Sequence, residues 1–336
     1  MSILARSERQ QRPQAPASTP PKARAIPTFI QDRIYSAVLF IASLSILVLV
    51  IAIAVELVMG SRESLQRFGL GFFTRMAWNP VTQDFGALAY ILGTLYTSFW
   101  ALLIAVPISL GAAIFLAELA PRWLRNPVSF LIELLAAIPS VVYGVWGLFV
   151  LSPWLVKHVE TPISEIPRLS KFFLFDAPPN GNDILAASLI LAIMVLPFIT
   201  SVSRDILRAI PRTAREGSYA LGATRWETIQ GVVLPYARAG IIGAVILGLG
   251  RALGETMAVT MVIGNELGFH VGLFHSGYTM ASIIANEFSE ASFSLYRSAL
   301  IEIGLTLFVV TMIVNGCARG LIYYTAKSIH GGGRRA

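Results

Sequence analysis

From Tyr35 to Val58 the chain is an almost unbroken run of Ile, Leu, Val and Ala. At about 1.5 Å per residue, a helix over that stretch crosses a hydrocarbon core of roughly 30 Å. The run is too long for the apolar core of a cleavable leader, and residues 1–33 before it are too polar to open one. It is therefore expected to persist as a membrane anchor over residues 34–58. Further apolar spans follow at roughly 89–116, 128–156, 184–203, 239–264 and 298–322. The expected fold is an all-α polytopic bundle of about six transmembrane helices. Pro107, Pro139 and Pro197 fall inside these spans. Neighbouring helices and polar side chains can re-satisfy the backbone groups that a membrane proline frees. With Pro139, Gly144 and Gly147, the third span is expected to be bent or broken.

Only 13% of the residues are charged and 55% are hydrophobic, with a mean hydropathy of +0.68. Soluble domains run nearer about 25% charged, so a water-facing surface is excluded. The net charge of +7 is explained by orientation. Of the 26 Lys and Arg, 18 lie in the tail 1–33, loops 117–127 and 204–238 and the C-terminus from Arg319; the other three loops hold 7. Basic residues are retained in short cytoplasmic loops, which places both termini in the cytoplasm. They form no stripe with interleaved aromatics, so nucleic acid is not indicated. Residues 1–33, rich in Pro, Gln, Ser, Ala and Arg, read as a disordered cytoplasmic tail. The lone cysteine, Cys317, rules out an intrachain disulfide and a multi-cysteine metal site. His158, His270, His275 and His330 lie in predicted loops or the tail and read as solvated residues, so no metal site is expected. Glu56 is expected at the interface, Glu133 at the start of the third span and Glu302 shallow in the sixth.

The segment 204–238 is long and charged but not disordered in composition. Pro211 suits a turn or first helical position, and Gly222 suits a break between two short helices. Ala220, Leu221, Trp226 and Ile229 are interspersed with charges. Such a surface either docks onto a partner or lies as an amphipathic helix on anionic lipid. Glu216-Gly217-Ser218, then Gly222, then Val232-x-Leu234-Pro235 resembles the EAA signature of binding-protein-dependent ABC importer permeases, with matching spacing. The departure is at Gly217 and Ser218, where that family has alanines. The resemblance implies a type I importer permease fold, with the segment acting as the coupling helix that sits in a cleft of a cytoplasmic ATPase subunit.

Within the fifth span, Arg251 sits where an ionised side chain costs about 2.5–3.5 kcal/mol, with Glu255 four residues on. On a continuous helix the two would share a face and could pair. Gly240, Ala244, Gly248, Gly254 and Ala258 would share that face, which suits close packing or a water-filled path. Ile242, Ile246, Leu249, Leu253 and Met257 would face lipid. Arg251 could meet an anionic substrate with Glu255 holding it or gating, or the two could form a structural ion pair. Arg-Ala-Leu-Gly-Glu-Thr-Met-Ala-Val-Thr (251–260) with Ile-Gly-Asn (263–265), and Ala-Ile-Pro-Ser-Val-Val-Tyr-Gly (137–144), resemble the C-subunit branch of the Pst phosphate importers. The resemblance covers residues 85–325. It implies inorganic phosphate as substrate, a homologous sister permease (A subunit), two cytoplasmic ATPase subunits and an extracytoplasmic phosphate-binding protein.

Lys22, Lys157, Lys171 and Lys327 are the only lysines and none follows a glycine. No P-loop is therefore present, and ATP and Mg²⁺ would be used by another chain. No H-E-x-x-H or G-x-S-x-G arrangement indicates an intramembrane enzyme. A secondary anion transporter or channel without an ATPase remains the alternative, with Arg251 as its selectivity charge.

Overall fold

The computed structural model describes residues 28–166, 172 and 174–331. Among these, six helices are long and apolar enough to cross a membrane: Asp32–Gly60, Leu88–Leu119, Ser140–Ser164, Ile184–Ala209, Arg225–Leu253 and Ser294–Gly320. They are the first to sixth spans below. The chain divides into two compact units, one up to Ile53 and one from Ala54 onward. The first unit contains most of the helix Thr28–Gly60. That helix begins inside the segment expected as tail, and residues 1–27 of the tail lie outside the described residues.

In the second unit the fourth span is the hub. Two thirds of its most apolar window (67%) is buried, against 28% or less for each of the others in this unit. Its start is fixed by Asp183, whose Oδ1 accepts from the Ala186 N–H at 2.8 Å and so satisfies one orphan donor of the first turn. The second span packs along it. The two exchange hydrogen bonds at mid-length: Ser109 Oγ donates to the Leu196 carbonyl at 3.1 Å and Thr200 Oγ1 to the Ser109 carbonyl at 3.4 Å. Gly248 lets the fifth span approach closely. A Cβ there would come within 2.8 Å of Ile199 and 2.9 Å of Val195. Gly240 does the same against Ile206, at 2.7 Å, so this part of the small-residue stripe is a packing face against the fourth span. Leu253, expected to face lipid, is buried.

Proline placement explains an irregularity of the long helices. Wide π turns occur at Phe115–Leu119, Gly147–Leu151, Val156–Glu160 and Ile229–Val233. Each is followed two residues later by a proline: Pro121, Pro153, Pro162 and Pro235. Proline lacks an N–H and its ring presses on the carbonyl four residues back, so the turn before it widens or the helix ends. After Leu119 the helix ends. In the other three cases it continues.

Two spans differ from the expected boundaries. The third was placed at 128–156, but Pro139 bars the preceding residue from the helical region. The chain therefore breaks after a separate helix, Arg122–Ala136, and the span runs from Ser140 to Ser164. His158 consequently lies in a helix, stacked on Trp154 with centroids 5.1 Å apart, and not in a loop. The fifth span was placed at 239–264. Pro235 widens the helix at Ile229–Val233 without ending it, so the span starts at Arg225 and stops at Leu253. His330 likewise falls within the last helix, Ser294–Gly331.

The far end of the second unit is knitted by loops. A two-residue hairpin, Trp78–Asn79 with Asp84–Phe85, packs its aromatics against the sixth span, Phe85 stacking on Tyr296 at 5.4 Å. The Glu287 carboxylate closes the helix Met280–Glu287 against both. It accepts from Trp78 Nε1 at 2.6 Å and from the Tyr296 hydroxyl. His275 Nε2 is hydrogen-bonded to Asp176 Oδ1 at 3.0 Å and the ring is stacked on His270, so it is fixed and not freely solvated.

Candidate functional site

The segment 204–238 folds into a corner built from two capping devices. Pro211 is the N-cap of a helix running Arg212–Ala220. That helix ends in a left-handed residue, Gly222 with φ of +87°. The Gly222 N–H donates to the Tyr219 carbonyl at 2.9 Å and the Ala223 N–H to Ser218 at 3.2 Å. This pair of bonds is the Schellman motif, which favours glycine because a Cβ is strained at positive φ. Two residues later a capping box starts the next helix. Thr224 Oγ1 accepts from the Glu227 N–H, and Glu227 Oε2 accepts from the Thr224 N–H at 2.7 Å. Ser218 and Thr228 hydroxyls, 3.0 Å apart, bridge the two arms. Gly222 therefore lies at the break where the sequence placed it.

The second arm is the start of the fifth span itself, so the 204–238 segment is not a loop. Leu234 is half-buried and Pro235 exposed, in the first turn after the π turn Ile229–Val233. Nothing stands within 4 Å of where a Cβ would project from Gly217, and Glu216 is exposed. No residue of the helix Arg212–Ala220 is buried. Leu221 is 91% exposed, with Tyr219 and Trp226 also open. The result is a rigid polar knob that displays three large apolar side chains.

What the sequence reading missed is the anchor of that knob. Arg215 is three-quarters or more covered, and its guanidinium reaches three elements. Nε and Nη2 donate to Glu118 Oε1 at 3.2 and 2.7 Å, Nη1 donates to the Ile210 carbonyl at 2.6 Å, and Nη2 to the Leu207 carbonyl at 2.7 Å. Its place next to the motif residue Glu216 was the available signal.

Arg251 and Glu255 are not brought together as expected. The helix stops at Leu253, with Gly254 as its cap, so the four-residue spacing no longer places them on one face. Glu255 turns forward. Its Oε1 accepts from the Ala258 N–H at 3.3 Å, at the start of the short helix Met257–Val262. Arg251 is exposed and makes no ion pair among the described residues. The intrachain ion-pair reading therefore falls, and a cation is left open in the last turn of the fifth span. The Ile-Gly-Asn run beyond it is a tight turn, with Gly264 at φ +87° and Asn265 at φ +53°. A Cβ on Gly264 would meet the Asn182 carbonyl at 2.3 Å.

The other acidic groups singled out in the sequence lie in different settings. Glu133 pairs with Arg204 at 3.0 Å. Glu302 is fully buried, and Glu56 is exposed. Glu160 and Asp183 are both fully buried on the loop side of the third and fourth spans. Glu160 Oε2 accepts from the Asn180 and Gly181 N–H groups at 2.8 and 2.9 Å. Burial pushes the Asp183 carboxyl up to about 8 against the pull of the Ala186 N–H, and the Glu160 charge adds to the rise.

Known proteins resemble the chain along most of its length. The model of the family described as "Binding-protein-dependent transport system inner membrane component" matches residues 105–327. A phosphate transport system permease protein PstC of Mesorhizobium japonicum is 48% identical over 297 residues, 87% of this chain and 90% of that one. One from Haemophilus influenzae is 50% identical over 276 residues, 81% of this chain and 87% of that one. Among solved structures, a bacterial alginate ABC transporter superposes with a TM-score of 0.56 at 20% identity, over 88% of this chain and 96% of that one. That likeness shows the fold of an ABC importer transmembrane subunit. With six spans and these matches, the chain is a multi-pass inner-membrane protein that belongs to the binding-protein-dependent transport system inner membrane component family.

Proposed function

We propose that this chain is the permease subunit that moves inorganic phosphate across the cytoplasmic membrane in an ATP-driven importer. The observation that carries the substrate is the 48% identity to a phosphate permease across nine tenths of that relative's length. The geometry agrees with it. Arg251 is a cation at the end of a membrane helix with no ion pair among the described residues, and a guanidinium can bind two phosphate oxygens at once. Glu255, capping the next short helix, sets the break that leaves Arg251 open and so helps shape the path. Glu216, Gly217, Ser218 and Gly222 form the docking corner, with Leu234 and Pro235 carrying its motion into the fifth span.

In this reading both termini are cytoplasmic, by the bias of basic residues. A sister permease completes the pore, two ATPase chains hydrolyse ATP with Mg²⁺ against the corner, and an extracytoplasmic protein delivers phosphate. Ligand shifts such a two-state machine only through its different affinity for the two states, and Arg251 supplies part of that difference.

The test is ATP-dependent uptake of labelled phosphate into vesicles holding this chain with its partners, with sulfate as competitor. Uptake that needs the ATPase and ignores sulfate is expected. ATP-independent uptake would instead make the chain a secondary transporter or channel, and blockage by sulfate would remove the substrate assignment.

A further inference from the structure

The coupling corner must push on something, and among the described residues one polar fixture joins its first helix to the second and fourth spans. Among the described residues, Arg215 is the only side chain of the helix Arg212–Ala220 that bonds to the second or fourth span. The remaining cross-link, Ser218 to Thr228, runs to the fifth. Its partners have physical reasons to hold it. Leu207 and Ile210 lie at the C-terminal end of the fourth span, where backbone carbonyls lack helical partners and the helix dipole favours a cation. Glu118 lies in the π turn that ends the second span. The ion pair is shielded, with side-chain exposures of 16% and 12%. Beneath it Ala113, Leu207, Ile210, Val233, Ala237 and Ile241 pack as one apolar cluster.

We infer that Arg215 is a positioning residue that clamps the coupling helix to the ends of the second and fourth spans, so that the three move as one body when the ATPase moves. All three guanidinium nitrogens are engaged in a fixed fork, so the clamp resists rotation as well as separation. Without it the corner keeps its own caps and can still dock, but it swivels instead of driving the spans. The inference rests on the corner being the ATPase contact, as proposed above.

The experiment uses the full complex in proteoliposomes and reads phosphate transported per ATP hydrolysed. Arg215→Gln is expected to leave the ATPase chain co-purifying and hydrolysing ATP while the ratio falls about ten-fold, within the usual range of coupling energies. Arg215→Lys, which keeps the charge but not the fork, should fall between. An unchanged ratio in Arg215→Gln would overturn the clamp. So would loss of the ATPase chain from a normally melting Arg215→Gln complex, because the residue would then serve docking. If Arg215→Gln does not fold, Glu118→Gln decides. It keeps an acceptor in place but removes the charge, and a normal ratio in that variant overturns the inference. Leu221→Asp tests the underlying reading separately. If the ATPase chain binds that variant as well as the wild type, the corner is not the contact, whatever Arg215 does.

Discussion

The hydroxyls of Ser218 and Thr228 meet at 3.0 Å and join the two arms of a corner whose apex is Gly222. The bond matters because it ties the last turns of one helix to the first turn of a membrane span. Angle and orientation are then set by covalent geometry and caps, and a partner pushing on Leu221 acts on a lever and not on a loop.

Gly222 is the residue on which that lever turns. Nothing lies within 4 Å of its hypothetical Cβ, so the constraint is conformational and not steric. A left-handed L-residue costs about 1–2 kcal/mol, and asparagine tolerates the region better than most. Gly222→Val should abolish ATP-dependent uptake while membrane insertion stays normal. Gly222→Asn should retain much of it. Equal uptake by both variants would show that the positive φ is not used.

Gly217 makes the opposite case. It sits inside a helix at ordinary φ with open space around it. Replacing a mid-helix glycine with alanine stabilises by about 0.5–1 kcal/mol. Gly217→Ala should therefore transport phosphate at wild-type rate, and Gly217→Trp should weaken co-purification of the ATPase chain. If the alanine variant already loses the partner, the docked surface is tighter here than the corner's shape implies.

Much of this was legible in the sequence because it depends on local rules. Six apolar runs mark the spans, Gly222 marks the left-handed cap, and Pro211 marks the helix start. The break after Leu253 was not legible, since Gly254 alone is tolerated in membrane helices and the apolar run continues through Val262. A continuous helix was the natural reading, and it placed Arg251 and Glu255 on one face. The fifth span's start was obscured in the same way, because Arg225 and Glu227 read as loop charges until the capping box with Thr224 is seen. The Arg215 to Glu118 pair joins positions 97 residues apart, a separation for which no local rule exists.

Among the described residues Arg251 is exposed and forms no ion pair, so removing it breaks none there. Arg251→Ala should leave the melting temperature of the purified complex unchanged. Uptake should fall by roughly 10- to 100-fold, the loss expected for one charge-assisted contact of about 1.5–3 kcal/mol. Arg251→Lys should recover part of it, as a point charge without the planar fork. A complex that disperses on Arg251→Ala would assign the residue to subunit packing instead.

Asp183 offers a titration that can be read without transport. Its carboxyl is pushed up to about 8 in the folded chain, above the unfolded value of about 3.9. The sign follows directly: between these values the fold holds a proton that the unfolded chain has lost. The stability it contributes is full below about pH 4 and declines as pH rises toward 8. Asp183→Asn keeps the oxygen that accepts from the Ala186 N–H, so the cap of the fourth span survives while the titration is removed. The variant should melt higher than the wild type near pH 7.5, and its melting temperature should fall less between about pH 5 and pH 8. Parallel curves for the two proteins would mean that the buried carboxyl is ionised throughout, matched by a partner that the burial of Glu160 beside it gives no reason to expect.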